Sequence, residues 1–355
     1  MKQTLFTVGP VEMYPETLRI GGEQLPYFRT EEFSRSVLEC ESAMCELADA
    51  PVGSEVILLT SSGSGAMEAA VINTVDSDGR VLIINGGAFG QRFCEICEDN
   101  VIPYDVIRLE PGLSLSAEQI DALDLGRYDA LLVNAHETST GVLYDLQRLG
   151  EACRRGGTFF IVDAISSFLC DPISMAGMGI DILLTSSQKA LALAPGLSIL
   201  VLGPHALQNV KKRRIRSHYF AFSRYLADAR RGQTPFTPAV GVILQLHERL
   251  DSIRAVGVAE LTRRTAALAT RFRASILGLP FRIFSNSPSN ALTALAPTNG
   301  VSAYEVYLEL KSRFGLVVTP NGGKLKNVVF RVGHMGNLRE SDIDVITSAL
   351  QEISK

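Results

Sequence analysis

From about residue 30 to residue 202, short apolar runs alternate with longer stretches in which apolar side chains recur every three or four positions. The runs are 56–59, 81–84, 130–133, 159–162, 182–184 and 197–202. They are apolar at nearly every position, which predicts strands covered on both faces. Between them, Phe33, Val37, Cys40, Met44 and Leu47 form one helical stripe, and Leu146, Leu149, Ala152 and Cys153 form another. Strands separated by helices need crossover connections, so the pattern predicts an α/β fold around a mainly parallel sheet.

After about residue 238 the pattern changes. Residues 239–277 predict a long helical region interrupted near Val256 and Gly257. Short strands are expected at 281–284, 316–318 and 328–332, with helices near 302–314 and 339–353. Pro and Gly cluster around 286–300 and 320–323, which predicts loops there. The division read from this is a large α/β domain over residues 1–245 and a smaller α+β domain over 246–355. A chain of 355 residues exceeds the size at which single cores stop growing, which agrees with two domains.

Composition narrows the class only a little. An apolar content of 46% with 20% charge is that of a soluble globular protein. A net charge of -4 gives no overall electrostatic footprint for nucleic acid or an acidic membrane. The local exception is the basic run Lys211, Lys212, Arg213, Arg214, Ile215, Arg216, read either as a solvated face or as a lip favouring an anionic or phosphonate substrate. The opening MKQTLFTVGPVEMYPET has no apolar core of a signal peptide, and no stretch reaches the roughly 20 apolar residues of a membrane span. Six cysteines, one pair of them a CxxC at 94 and 97 in a helical stretch without a second zinc-spaced pair, predict reduced thiols in a cytoplasmic enzyme.

In an open α/β sheet, ligands gather at the carboxyl ends of strands. The residues just after the apolar runs are polar here. The first run opens into Ser62-Gly63-Ser64-Gly65-Ala66, a turn into a helix whose N–H groups and dipole suit a phosphate. It is not a dinucleotide fingerprint, because Glu68 stands where the third glycine would be. The second run ends in Asn85-Gly86-Gly87-Ala88-Phe89-Gly90, where Phe89 could lie on a planar cofactor or simply anchor the loop. Further on, Asp163 ends one run, and Ser187-Gln188-Lys189 follows another. A strand-end carboxylate is costly to bury without a partner, and a desolvated lysine becomes a usable amine. Taken singly, that pair could be a structural salt bridge. Taken together, a Schiff-base lysine, a carboxylate for a pyridinium nitrogen, a phosphate cup and an aromatic platform are the requirements of pyridoxal 5'-phosphate (PLP).

The ordered segments that carry these residues resemble the class V (fold-type I) aminotransferases over essentially the whole chain. The matching segments include Thr7-Val8-Gly9-Pro10-Val11, Ser62 to Gly65, Asn85 to Gly90 and His136-Glu137-Thr138-Ser139-Thr140-Gly141. Val162-Asp163-Ala164-Ile165-Ser166-Ser167, Ser187 to Lys189 and Phe330-Arg331-Val332-Gly333 continue the pattern. The resemblance is to the branch of 2-aminoethylphosphonate:pyruvate and alanine/serine:glyoxylate transaminases. It implies an aspartate-aminotransferase-like PLP-transferase fold, with a mainly parallel seven-stranded sheet in the large domain.

By that resemblance, Lys189 carries PLP as a Schiff base and shuttles the proton, and Asp163 pairs with the pyridine nitrogen. Phe89 and Ile165 pack on opposite ring faces, and Thr138 bonds near the ring hydroxyl. Ser64, Gly65, Ala66 and Gln188 hold the phosphate. Thr237 reaches a neighbouring subunit's phosphate, which implies a homodimer. Arg331 clamps a substrate carboxylate, with Gly9 and Arg29 also on the substrate side. Two positions depart from the family pattern: Ala66, where relatives often have Thr or His, and Phe28 before Arg29, where glyoxylate users tend to have His.

The function implied is transfer of an amino group from a small amino acid or aminophosphonate to a small 2-oxo acid or aldehyde such as pyruvate or glyoxylate. A class V lyase, acting by elimination or by C–C or C–P cleavage, stays open as an alternative. A cysteine desulfurase is disfavoured, because Gln188 replaces the usual His and no Cys follows position 170. A purely binding role would predict loss of Lys189 or Asp163, and both are present.

Overall fold

The structure, a computed structural model, describes residues 3–76, 78–210, 215 and 217–354. The charged members of the basic run, at 211–214 and 216, lie outside the described residues. Among the described residues, fourteen strands follow in chain order: β1 (Thr4–Phe6), β2 (Glu55–Leu59), β3 (Val81–Asn85), β4 (Tyr104–Arg108), β5 (Ala130–Asn134), β6 (His136–Glu137) and β7 (Val142–Leu143). Then come β8 (Phe159–Asp163), β9 (Ile182–Ser186), β10 (Ser198–Leu202), β11 (Phe281–Ile283), β12 (Leu292–Pro297), β13 (Leu316–Pro320) and β14 (Phe330–Gly333).

A seven-stranded sheet runs in the order β2-β10-β9-β8-β5-β3-β4, with β10 antiparallel to both neighbours and the remaining pairs parallel. Its apolar runs are continuous because both faces are covered. Leu58, Leu82, Leu131, Phe160 and Leu183 enter the core on one side, and Ile57, Ile83, Leu132, Ile161 and Leu184 enter the core on the other. The side chains alternate with the two-residue period of a strand, so each run feeds two cores. The helix Glu31–Leu47 buries the predicted stripe Phe33, Val37, Cys40, Met44 and Leu47, and Thr30 caps it by accepting from the Phe33 N–H.

The second sheet has the order β1-β13-β14-β12-β11. The helices Val258–Ser275 and Glu340–Ile353 pack Leu268, Phe272, Ile343, Ile346 and Leu350 against its Phe6, Leu295, Val318, Phe330 and Val332. Strand β1 joins this sheet by parallel pairing with β13, although its position in the chain grouped it with residues 1–245. The expected loop over 286–300 is also corrected: Leu292–Pro297 is a strand in the interior of the sheet, bonded to β11 and β14. Its sequence LTALAP is poor in β-branched residues and flanked by Pro, Asn and Gly, so local propensity hides a strand that burial and two partners impose. Edge strand β4 was missed for the opposite reason, since YDVIR is half polar and none of it is fully buried. The long helical region divides at Gly257, with φ +86°, into Val240–Val256 and Val258–Ser275.

Candidate active site

The register of the large sheet assembles the site. Asn134 pairs with Asp163 across β5 and β8, and β9 ends beside β8, so three strand ends open at one edge. Asp163 is buried; its Oδ2 accepts from Asn134 Nδ2 at 2.7 Å and its Oδ1 from the Ile165 N–H at 2.8 Å. Burial raises its pKa to about 6, opposed by these two donors and by the Lys189 charge. Lys189 lies in the turn after β9, which Ala192 closes at φ +57°. Its Nζ donates to the Val8 carbonyl at 2.5 Å. Desolvation lowers its pKa to about 8, with Asp163 opposing and Arg331 adding to the fall. One buried amine and one buried acid thus share a field at one sheet edge.

Gly9 lies against the aliphatic chain of the lysine. With φ +128° it takes a conformation L side chains avoid, and an added Cβ would fall 2.7 Å from Lys189 Cδ.

The helix Gly63–Thr74 supplies the anion end. The Gly65 and Ala66 N–H groups bond the Ser62 carbonyl at 2.9 and 3.3 Å. The N–H groups of Gly63 and Ser64 make no hydrogen bond among the described residues, which leaves them for a ligand. The Ala66 methyl is buried in the core, so any contact from that position must come from its backbone. Gln188 is half-buried, and its Oε1 accepts from Ser186 Oγ at 2.7 Å. Gly63 also makes room for Ile165, whose Cδ1 would clash with any Cβ there.

Phe89 is half-buried in the first turn of the helix Ala88–Asp99. That helix is capped from outside. The buried Glu137 carboxylate accepts from the Phe89 N–H (3.1 Å), the Gly90 N–H (3.0 Å), the Ser139 N–H (3.1 Å) and Ser139 Oγ (2.6 Å). Burial raises its pKa, and those four donors oppose the rise. One turn on, Arg92 lies over the Phe89 ring at 5.0 Å, and its Nη1 donates to Ser64 Oγ at 3.0 Å. The platform and the anion cup are therefore tied by one cation.

Thr138 is buried, with Oγ1 2.7 Å from Ser166 Oγ. Arg331 is also buried; it donates from Nη1 to the Thr138 carbonyl (3.1 Å) and from Nη2 to the Pro320 carbonyl (2.6 Å), while its Nε has no partner. Burial lowers its pKa to about 10. Arg29 is engaged elsewhere, donating to Gln233 Oε1 at 2.8 Å and to the Thr234 carbonyl at 3.0 Å. It thereby anchors the loop in which Thr237 stands exposed.

Sequence reasoning left Asn134, Glu137, Ser166 and Arg92 without roles. Asn134 was readable as the last residue of the strand beside Asp163. Glu137 and Arg92 act across the chain on residues 89–90 and 64, and no local pattern marks them.

The residues present fit PLP. The free N–H groups at 63 and 64 suit a phosphate, Asp163 a ring nitrogen and Lys189 a carbonyl carbon. Asn134 Oδ1, His136 Nε2 and Arg331 Nε are buried polar atoms without protein partners in the same region.

Comparison with known proteins places this geometry. The family model described as "Aminotransferase class-V" matches residues 27–339. A protein of Synechococcus sp. (strain PCC 6716), named soluble hydrogenase, small subunit, is 30% identical, covering 99% of this chain and 93% of its own. Among the described residues here, no group of three or more His, Cys, Asp or Glu is placed to hold a metal ion. The solved aspartate aminotransferase of subgroup IV from Thermus thermophilus has a TM-score of 0.92 at 28% identity, with 99% of each chain covered. The alanine–glyoxylate aminotransferase from Nostoc sp. has a TM-score of 0.93 at 25% identity, covering 100% of this chain and 96% of that one. No helix among the described residues is long and apolar enough to cross a membrane. The chain belongs to the class V aminotransferases, a family of PLP-dependent transaminases acting on small molecules.

Proposed function

We propose that this aminotransferase moves an amino group from a small amino acid or aminophosphonate to a small 2-oxo acid or aldehyde such as glyoxylate or pyruvate. The observation that carries the reading is the pair Lys189 and Asp163, buried together at the ends of adjacent parallel strands, with the amine near 8 and the acid near 6. The relatives named for aspartate and for alanine with glyoxylate support small dicarboxylic or monocarboxylic partners. Bound PLP supplies an electron sink for the carbanion formed at the substrate Cα.

Lys189 supplies the amine that holds the cofactor and then carries the proton to and from the substrate Cα. Asp163 keeps the ring nitrogen protonated. Ser64, the Gly63–Gly65 backbone and Gln188 bind the phosphate, and Phe89 and Ile165 confine the ring between them. Arg331, whose Nε has no partner among the described residues, holds a substrate carboxylate, a task that suits a planar fork. Arg29, through Gln233 and Thr234, fixes the loop from which Thr237 reaches the phosphate in a second copy, making the working unit a cytoplasmic homodimer.

The reading is tested by a half-reaction screen. PLP-loaded protein is mixed singly with amino acids and aminophosphonates, and loss of the visible absorbance reports the donors. Lys189→Ala is expected to abolish both colour and turnover. Arg331→Ala is expected to raise the apparent KM for carboxylate substrates at least tenfold, a charge-assisted contact being worth roughly 1.5–3 kcal/mol. Turnover by Lys189→Ala would overturn the assignment, and an unchanged KM would remove Arg331 from it.

A further inference from the structure

His136, Ser166 and Thr138 form a short chain of hydrogen bonds, and all three side chains are buried. Ser166 Oγ lies 2.7 Å from Thr138 Oγ1 and 3.0 Å from His136 Nδ1. It also reaches the His136 carbonyl at 3.4 Å. His136 Nε2 is buried with no hydrogen-bond partner among the described residues.

Each hydroxyl owns one proton, and two arrangements use the short contacts. A third, in which Ser166 donates to the His136 carbonyl and accepts from Thr138, spends the serine proton on the long 3.4 Å contact and leaves a ligand oxygen without the Thr138 donor. In the first of the two, Thr138 donates to Ser166, Ser166 donates to a bare Nδ1, and a proton sits on the sealed Nε2. In the other, Nδ1–H donates to Ser166, Ser166 donates to Thr138, and the Thr138 proton is left over. Sealed N–H groups are rarer in proteins than sealed lone pairs, which favours the second direction. Thr138 Oγ1 makes no other hydrogen bond among the described residues, so its proton is free for an acceptor in the cavity.

We infer that His136 is a positioning residue: its Nδ1-protonated tautomer, acting through Ser166, keeps the Thr138 hydroxyl proton free for the ring oxygen of the bound pyridine cofactor. This rests on the PLP reading above and adds to it the direction of one proton. Ser166 is the rival acceptor for that proton; with the His136 N–H on its oxygen, its own proton turns to Thr138 across the 2.7 Å contact, which keeps the Thr138 proton off it. His136 remains neutral in the role. Burial pushes its pKa down to about 3, a hydrogen bond with the Ser166 backbone opposes, and the charges of Lys189, Arg331 and Arg273 add to the fall.

The test follows the visible absorbance of the PLP-loaded protein against pH. A donor to an anionic ring oxygen favours the proton-poor form of the bound cofactor, so its loss raises the pH midpoint. His136→Leu releases Ser166 to compete and is expected to raise the midpoint by about one unit, the scale of a charge-assisted hydrogen bond. Ser166→Ala removes the competitor and is expected to stay within about 0.3 unit of wild type, the loss of polarisation alone. Added to His136→Leu, it should bring the midpoint back. A packing role for His136 would not be repaired by emptying a second buried position.

The 15N spectrum of histidine-labelled wild-type protein reads the tautomer without any substitution, so it decides the matter even where a variant does not fold. A proton on Nδ1 is expected, and one on Nε2 overturns the inference. So does a midpoint indifferent to His136→Leu, or a double variant that does not return. A wild-type protein that never develops the visible band with PLP overturns the cofactor reading instead.

Discussion

The aliphatic chain of Lys189 lies across Gly9, so closely that a methyl group on the glycine would fall 2.7 Å from Cδ, 2.9 Å from Cε and 3.0 Å from Nζ. The neighbouring Val8 carbonyl accepts the lysine's hydrogen bond, so one backbone segment both shapes and holds the amine. Gly9→Ala must displace Lys189, and it must also strain a residue at φ +128°. We expect a stability loss of roughly 1–3 kcal/mol and at least tenfold slower uptake of PLP. Denaturant melts and stopped-flow absorbance measure the two; uptake at the wild-type rate would show that Lys189 reaches the cofactor without this seat.

The lysine's depressed pKa makes a kinetic prediction. Only the neutral amine attacks the cofactor's carbonyl, and Lys189 is neutral above about 8 rather than above the ordinary 10.5. Uptake of PLP by cofactor-free protein should therefore rise about tenfold per pH unit below 8 and then level off. The same shift has a stability consequence. Between 8 and 10.5 the unfolded chain holds the proton that the folded chain releases, so this group's contribution to stability rises with pH across that window. A rate still climbing at pH 10 would mean that the amine is solvated.

Glu137 meets four donors and contributes only acceptors, so its charge and shape are both used. Glu137→Gln keeps the shape but turns an amide NH2 toward N–H groups. A loss of about 2–4 kcal/mol is expected, with the first turn of the helix Ala88–Asp99 loosened and PLP bound at least tenfold more weakly. Equilibrium titration of the visible band against PLP is the measurement. An unchanged dissociation constant would detach Phe89 from the ring.

These three residues show what a sequence can and cannot display. Asp163 and Lys189 stood out because the first closes an apolar run and the second follows one within a few residues, where a charged group needs a reason. Six of the seven strands of the large sheet were legible for a related reason: a strand covered on both faces has few polar positions to confuse its reading, whereas the edge strand Tyr104–Arg108 is half polar. Strand Leu292–Pro297 was not, since its burial comes from β11 and β14 rather than from its own Ala-rich residues. Glu137 lay inside a quoted motif and Arg92 two residues past one, yet their partners are 47 and 28 positions away in sequence. Their roles depend on which loops the sheet order brings together. At position 66 the methyl is in the core, so a phosphate contact there rests on the backbone alone.

Asp163 separates function from stability. Its carboxyl titrates at about 6 in the fold against an ordinary 3.8, so the folded chain binds this proton more readily than the unfolded one. The group's contribution to stability is therefore greatest below 3.8 and falls as pH rises to about 6, by roughly 2–3 kcal/mol in all. Asp163→Asn removes that cost. The new amide also has a ready partner, because Asn134 can turn its unpartnered Oδ1 toward it. The cofactor-free variant should consequently be as stable as wild type at pH 7.5, or more so, while turnover falls at least about a hundredfold because the ring nitrogen has lost its counter-charge. Thermal melts of cofactor-free protein and single-turnover kinetics of loaded protein give the two numbers. A variant that melts early but still transfers amines would invert the argument, making Asp163 a structural acid and leaving the ring nitrogen to another group.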